Sequence, residues 1–202
     1  MDKFQAFLNV AEPIVVILSA IIAVFQLNAL RKQTKTNHES TRRRTTVDVM
    51  TTWCNAIKKD TSLAERAARN LSEKQCKSLY NNCSFDVTPD SKVDICKFCS
   101  RSGGECSGCS LENDGLKVDG QILAELRWHV VAYLNALETV MTSWHMGTVD
   151  SKVIEEQFSF LLYDGKGHAL SSFRNASGGY PYIEEFLDTI KNKPKVKHKR
   201  PL

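Results

Sequence analysis

Glycine and proline are scarce, at 10 and 5 of 202 residues, which excludes a collagen-like or low-complexity chain. No run of alternating apolar and polar residues is long enough for a core strand, so nothing predicts a sheet-based body. Catalytic signatures are missing as well: there is no H-E-x-x-H, no P-loop, no G-x-S-x-G and no dinucleotide fingerprint. The five histidines include His129 and His145 on one predicted helix, but 16 residues of helix are about 24 Å, too far for one metal ion. His168 beside Ser171 and Ser172 is the nearest approach to a base and nucleophile, without a third member of a triad. No catalytic residue is therefore assigned, and the sequence reads as non-enzymatic. Acidic residues are absent from 191–202, where Lys191, Lys193, Lys195, Lys197, Lys199 and Arg200 fall.

What is present is segregated. Residues 31–44 carry Arg31, Lys32, Lys35, Arg42, Arg43 and Arg44 against Glu39 alone, whereas 45–190 holds 14 basic and 20 acidic residues. An acidic body thus lies between two basic flanks.

From Leu8 to Leu30 the chain reads LNVAEPIVVILSAIIAVFQLNAL, with Glu12 its one ionisable side chain. Twenty-three helical residues reach about 34 Å, enough for a hydrocarbon core of roughly 30 Å, and residues 14–25 are apolar all round. A transmembrane helix over 8–30 is expected. Cations after the run and few before it orient residue 31 onward toward the cytoplasm of a bacterial inner membrane, leaving residues 1–7 outside. A cleaved signal peptide carries its charge before the apolar run, so it fits less well, as does a buried core helix. The six cations of 31–44 read as topogenic charge or as contacts to anionic lipid headgroups.

The body, 45–190, reads as a small helical bundle, giving an all-α chain. Val47, Met50, Cys54 and Ile57 predict a helix from about Thr45 to Arg69 with Cys54 in the core. Residues 121–146 show the longest apolar face, with Asp119 as cap and Gly147 as the closing residue. Asp150 or Ser151 opens a further helix with Val153, Ile154, Phe158, Leu161 and Leu162 inward, and Ile183, Phe186, Leu187 and Ile190 mark a last one. The tail 191–202 has almost nothing to bury and reads as disordered.

Six cysteines fall in an insertion over 72–118: Cys76, Cys83, Cys96, Cys99, Cys106 and Cys109. The last four spell C-x2-C-x6-C-x2-C, two hooks that could each give two thiolates to a tetrahedral ion, so a structural zinc site is the leading reading, with Cys76 and Cys83 as further candidates. The spacer is short for a zinc ribbon; disulfides, an iron-sulfur centre and unligated thiols are the rivals. A reducing cytosol favours metal. Asn135 and Glu138, at i and i+3 of the longest helix, with Arg174 downstream, form a polar cluster. A two-pronged Glu138–Arg174 pair would clamp two helices in register.

The apolar run, the following RRTTVDVM, then YLNALETV, FSFLLY, Phe173-Arg174 and the helix around Tyr182-Ile183-Glu184-Glu185-Phe186 together resemble a family of uncharacterised membrane-anchored helical proteins, a domain of unknown function of bacteria and their phages or prophages. The resemblance covers 8–70 and 119–190 and implies shared roles for Arg44, Asn135, Glu138 and Arg174. It supplies no activity, and the cysteine-rich insertion departs from it. The expected function is a membrane-anchored interaction or regulatory protein. Host takeover, superinfection exclusion or defence is what the resemblance implies. The alternative is a tethered nucleic-acid binder using the zinc module and the basic tail. Membrane lipid, another protein and a second copy of the chain complete the expected partners.

Overall fold

The computed structural model describes residues 2–102, 116–162 and 168–193, with the backbone alone for 2–20, 102 and 168. The chain divides into two units, 1–44 and 45–202. Helix α1 (Asp2–Ala56) supplies all that is described of the first unit and enters the second. The second unit continues with α2 (Lys59–Arg69), α3 (Glu73–Tyr80), β1 (Phe85–Asp86), α4 (Pro89–Ser102), β2 (Lys117–Val118), α5 (Gly120–His145), α6 (Ser151–Gln157), α7 (Ser171–Ser177) and α8 (Pro181–Asn192). Two 3-10 turns, Ser159–Leu162 and His168–Leu170, precede α7.

In the first unit every side chain from Ile21 to Arg44 is exposed. The expectation of a membrane span over 8–30 is corrected here: among the described residues no helix is long and apolar enough to cross a membrane. The side chains of 8–20 lie outside the described residues. From Ile21 to Leu30 the apolar residues are interrupted by Gln26 and Asn28. The inner-membrane placement and the orientation derived from the span fall with it.

In the second unit α5 is the central element, packed against α2, α3, α4 and α8, while α2 also packs on α4 and α3 on α7. Its inward face is Leu123, Leu126, Val130, Tyr133, Leu134, Leu137, Val140 and Met141, all buried, as a 3.6-residue period requires. Asp119 stands at its N-cap without a side-chain cap bond, and Gly147 closes it with φ +64°, a conformation that favours glycine. Ala64, Ala67 and Ala68 face inward from α2; such small side chains let its backbone approach its neighbours closely.

The helix expected over 45–69 is interrupted at Lys58, which is extended and opens α2. Its inward stripe also differs: Thr46 is buried and Val49, Met50, Trp53 and Ile57 pack on the core, whereas Val47 and Cys54 are exposed. The ring of Trp53 decides this, lying edge-on to Tyr133 at 5.5 Å and to Phe158 at 5.3 Å; the largest apolar surface turns inward. Thr46 Oγ1 accepts from the amide of Asp150 at 2.7 Å, and the Asp150 carboxylate in turn caps α6 by accepting from the amides of Lys152 and Val153. Within α6 Ile154 is buried but Val153 is exposed, and beyond it Phe158 and Leu161 are buried.

The cysteine-rich insertion is built into the core. A capping box joins Ser72 and Gln75 at the start of α3, and Gln75 Nε2 donates to the carbonyl of Asp86 at 2.7 Å. Phe85 pairs with Val118 and Asp86 with Lys117 in an antiparallel ladder of two residues per strand. Ile95, Phe98 and Cys99 from α4 join Leu116 and Val118 in the main apolar cluster.

Candidate functional site

The cysteines show how burial overrides spacing. Cys96 and Cys99 sit three residues apart on the regular helix α4, with Cys99 fully buried and Cys96 half-buried. Cys76 is buried in α3, and burial, with Glu73 nearby, pushes its thiol up to about 12. The thiolate is the form that binds a metal ion, so such a thiol is a poor ligand. Cys83 is exposed just past α3, whose end is closed by Asn82 at φ +55°. Cys106 and Cys109 lie outside the described residues. Among the described residues no group of three or more His, Cys, Asp or Glu side chains is placed to hold a metal ion, which corrects the zinc-binding insertion as far as Cys76, Cys83, Cys96 and Cys99 are concerned. Cys54, Cys76, Cys83 and Cys96 are in no disulfide.

The shift of Cys76 carries a sign. Its folded value lies above that of the unfolded thiol, near 8.5, so the unfolded chain alone ionises between pH 9 and 12. Below that window the contribution is fully present; through it, folding should lose about 1.4 kcal/mol per pH unit from this group. Alkylation by iodoacetamide at pH 8, followed by peptide mass spectrometry, should label Cys54 and Cys83 in the native protein and Cys76 only after denaturant is added. Native labelling of Cys76 would contradict its burial.

The polar cluster around α8 is richer than its sequence suggests. Glu138, half-buried on α5, accepts from the amide of Tyr182 with Oε1 and from that of Ile183 with Oε2, both at 3.0 Å. These are amide donors of the first turn of α8, which lack partners within the helix. A carboxylate there also meets the positive end of the helix dipole. The residue at the N-cap, Tyr180, is left-handed at φ +70° and has no side-chain cap bond, so the cap comes from another helix. Burial, Glu138 and Tyr80 raise the Tyr180 phenol, while Arg127 lowers it.

Arg174, on α7, is 5% exposed. Its Nε donates to the carbonyl of Ala169 at 2.9 Å and its Nη1 to Glu184 Oε1 at 3.2 Å. Burial lowers its pKa; Glu184, Glu138 and Asp188 act in the opposite direction. Ala169 and Leu170 are themselves left-handed, at φ +45° and +53°, a conformation that costs an L-residue roughly 1–2 kcal/mol. Arg174 therefore ties down one strained turn and Glu138 the other.

The two-pronged Glu138–Arg174 pair expected from the sequence is replaced by this arrangement, in which each group serves α8 separately. Asn135 is exposed and stands apart, its carbonyl accepting from Thr139 Oγ1. Arg44 is exposed in the first unit, as are Arg31, Lys32, Lys35, Arg42 and Arg43. Three participants were missed: Tyr180, Glu184 and Tyr80, the last of which lies edge-on to Phe173 and accepts from Arg127 Nε through its carbonyl at 2.9 Å. Gly179-Tyr180-Pro181 does announce a helix start, since proline fits the first turn, but nothing local to it names a cap 44 residues away.

Two histidines have polar partners. Thr61 Oγ1 lies 3.3 Å from His129 Nδ1, yet Thr61 is 3% exposed and closed to a substrate. His145 Nδ1 lies 2.9 Å from Glu185 Oε1, with the Tyr182 ring at 4.8 Å, a link between the end of α5 and α8. The side chain of His168 lies outside the described residues. Chemically, the cluster is an array of carboxylate, guanidinium and backbone groups satisfied by one another, suited to holding α7 and α8 in place. No family model, curated protein or solved structure matches the chain.

Proposed function

We propose that this chain is a non-enzymatic interaction protein that docks another protein through the exposed apolar stretch at Ile21–Leu30. One observation carries the reading. Ile21, Ile22, Val24, Phe25, Leu27 and Leu30 are 46–72% exposed within ten residues of one helix, and contiguous apolar surface of that kind marks an interaction site. The side chains point to every side of the helix, so a partner that encloses it, such as a helical protein with an apolar groove, covers more of them than a flat surface does. The absence of catalytic motifs from the sequence agrees with a binding role, and the resemblance noted above suggests a setting in phage–host conflict.

The test is photocrosslinking from benzoylphenylalanine placed at Phe25 in the full-length chain. An adduct with a distinct protein, lost in the double variant Ile22→Asp, Leu27→Asp, is expected. Adducts with a second copy alone, or none, would remove the proposal.

A further inference from the structure

Immediately after the apolar stretch the same helix changes character. From Arg31 to Arg44 no side chain is apolar: the residues are four Arg, two Lys, three Thr, and one each of Gln, Asn, His, Glu and Ser. All are exposed. Every one except Glu39 carries an N–H or O–H donor. Arg31, Lys35, His38 and Arg42 follow at i, i+4, i+7 and i+11, which puts them on one face over about 16 Å, and Lys32 and Arg43 flank that face.

This composition discriminates between partners. A helix lying on a lipid surface needs an apolar face to bury, and a protein interface draws its energy from apolar and aromatic anchors at its centre. Residues 31–44 offer neither. A nucleic-acid backbone needs neither: its contacts come from Arg, Lys, Ser, Thr, Asn and Gln donors to phosphate oxygens, and its interfaces are polar and strongly positive. A single α-helix fits the major groove of B-form DNA, about 12 Å wide, whereas the major groove of A-form RNA is too narrow. We propose that the face of α1 carrying Arg31, Lys35 and His38, flanked by Lys32 and Arg43, binds duplex DNA through its phosphates, without reading sequence. This goes beyond the protein-docking role of Ile21–Leu30 and uses different residues.

The experiment is fluorescence anisotropy of the full-length chain with a labelled 30-base-pair duplex, titrated with salt from 50 to 200 mM. Binding should fall steeply with salt. In the triple variant Arg31→Gln, Lys35→Gln, Arg43→Gln the slope of log K against log salt should shrink by about 2.7, and affinity at 100 mM should drop roughly 30-fold or more. The substituted side chains are exposed, so an unchanged far-UV circular dichroism spectrum is required of the variant. Ile22→Gln, Leu27→Gln, which removes apolar surface without adding charge, should bind DNA normally, and this separates failure here from failure of the docking role. Equal binding by the triple variant would overturn the proposal. So would loss of binding on deleting 191–202 alone, or preference for vesicles of phosphatidylcholine and phosphatidylglycerol that DNA does not compete away.

Discussion

Replacing Arg174 by alanine should lower the unfolding free energy by about 3 kcal/mol, the loss of a charge-assisted hydrogen bond together with a partly filled cavity. The guanidinium is nearly enclosed and its Nε donates to the carbonyl of Ala169, the first of two consecutive left-handed residues. Without that donor the buried carbonyl loses its partner and the turn its restraint. Glu184 adds less to the figure, because its side chain is 53% exposed and water can take over. Lysine should recover only part of the loss, since one ammonium cannot reproduce the fork that reaches a carbonyl and a carboxylate together. Urea denaturation of the three proteins measures this directly; a midpoint shared by wild type and the alanine variant would show the tie to be dispensable.

Glu138→Ala is the second large effect, at about 2–3 kcal/mol, the upper part of the range for hydrogen bonds to a charged group. Both carboxylate oxygens accept amide protons at the start of α8, so the truncation leaves two donors to water while Tyr180 stays in its left-handed conformation. Glu138→Gln keeps one acceptor and should cost about half as much. Native-state hydrogen exchange gives a readout that midpoints do not. The amides of Tyr182 and Ile183 should lose protection in the alanine variant ahead of the α5 core around Leu134 and Leu137, and uniform loss across the body would argue against a local cap.

The helices of the body were legible because their apolar residues recur at the helical period. Leu126, Val130, Leu134, Leu137 and Met141 are all buried as the pattern requires, and Gly147 closes α5 where its sequence position suggests. Local signals failed where a distant group made the decision. Cys54 and Val47 fit an apolar stripe, but Trp53 outweighs them by finding Tyr133 and Phe158. Cys96 and Cys99 have metal-hook spacing, yet the same spacing on a helix follows the core side of α4, where Ile95, Phe98 and Cys99 are buried together. The segment 72–118 stands out in the sequence by its cysteines, yet it joins the core through Phe85 and Val118, which meet in a ladder that joins positions 33 residues apart. Likewise Glu138 and Arg174 stand out in the sequence as a polar cluster, but their partners are backbone atoms and Glu184, which carry no sequence signature of their own.

The order of elements along the chain has a bearing on biosynthesis. Helix α5 gathers α2 and α4 from upstream and α8 from downstream, and Trp144 waits for Phe186 to cover it. A ribosome that has released α5 has thus produced a nascent bundle with one open seam and a carboxylate whose amide partners are still being polymerised. Closure awaits α8, and until that helix emerges the growing polypeptide is a client for chaperones.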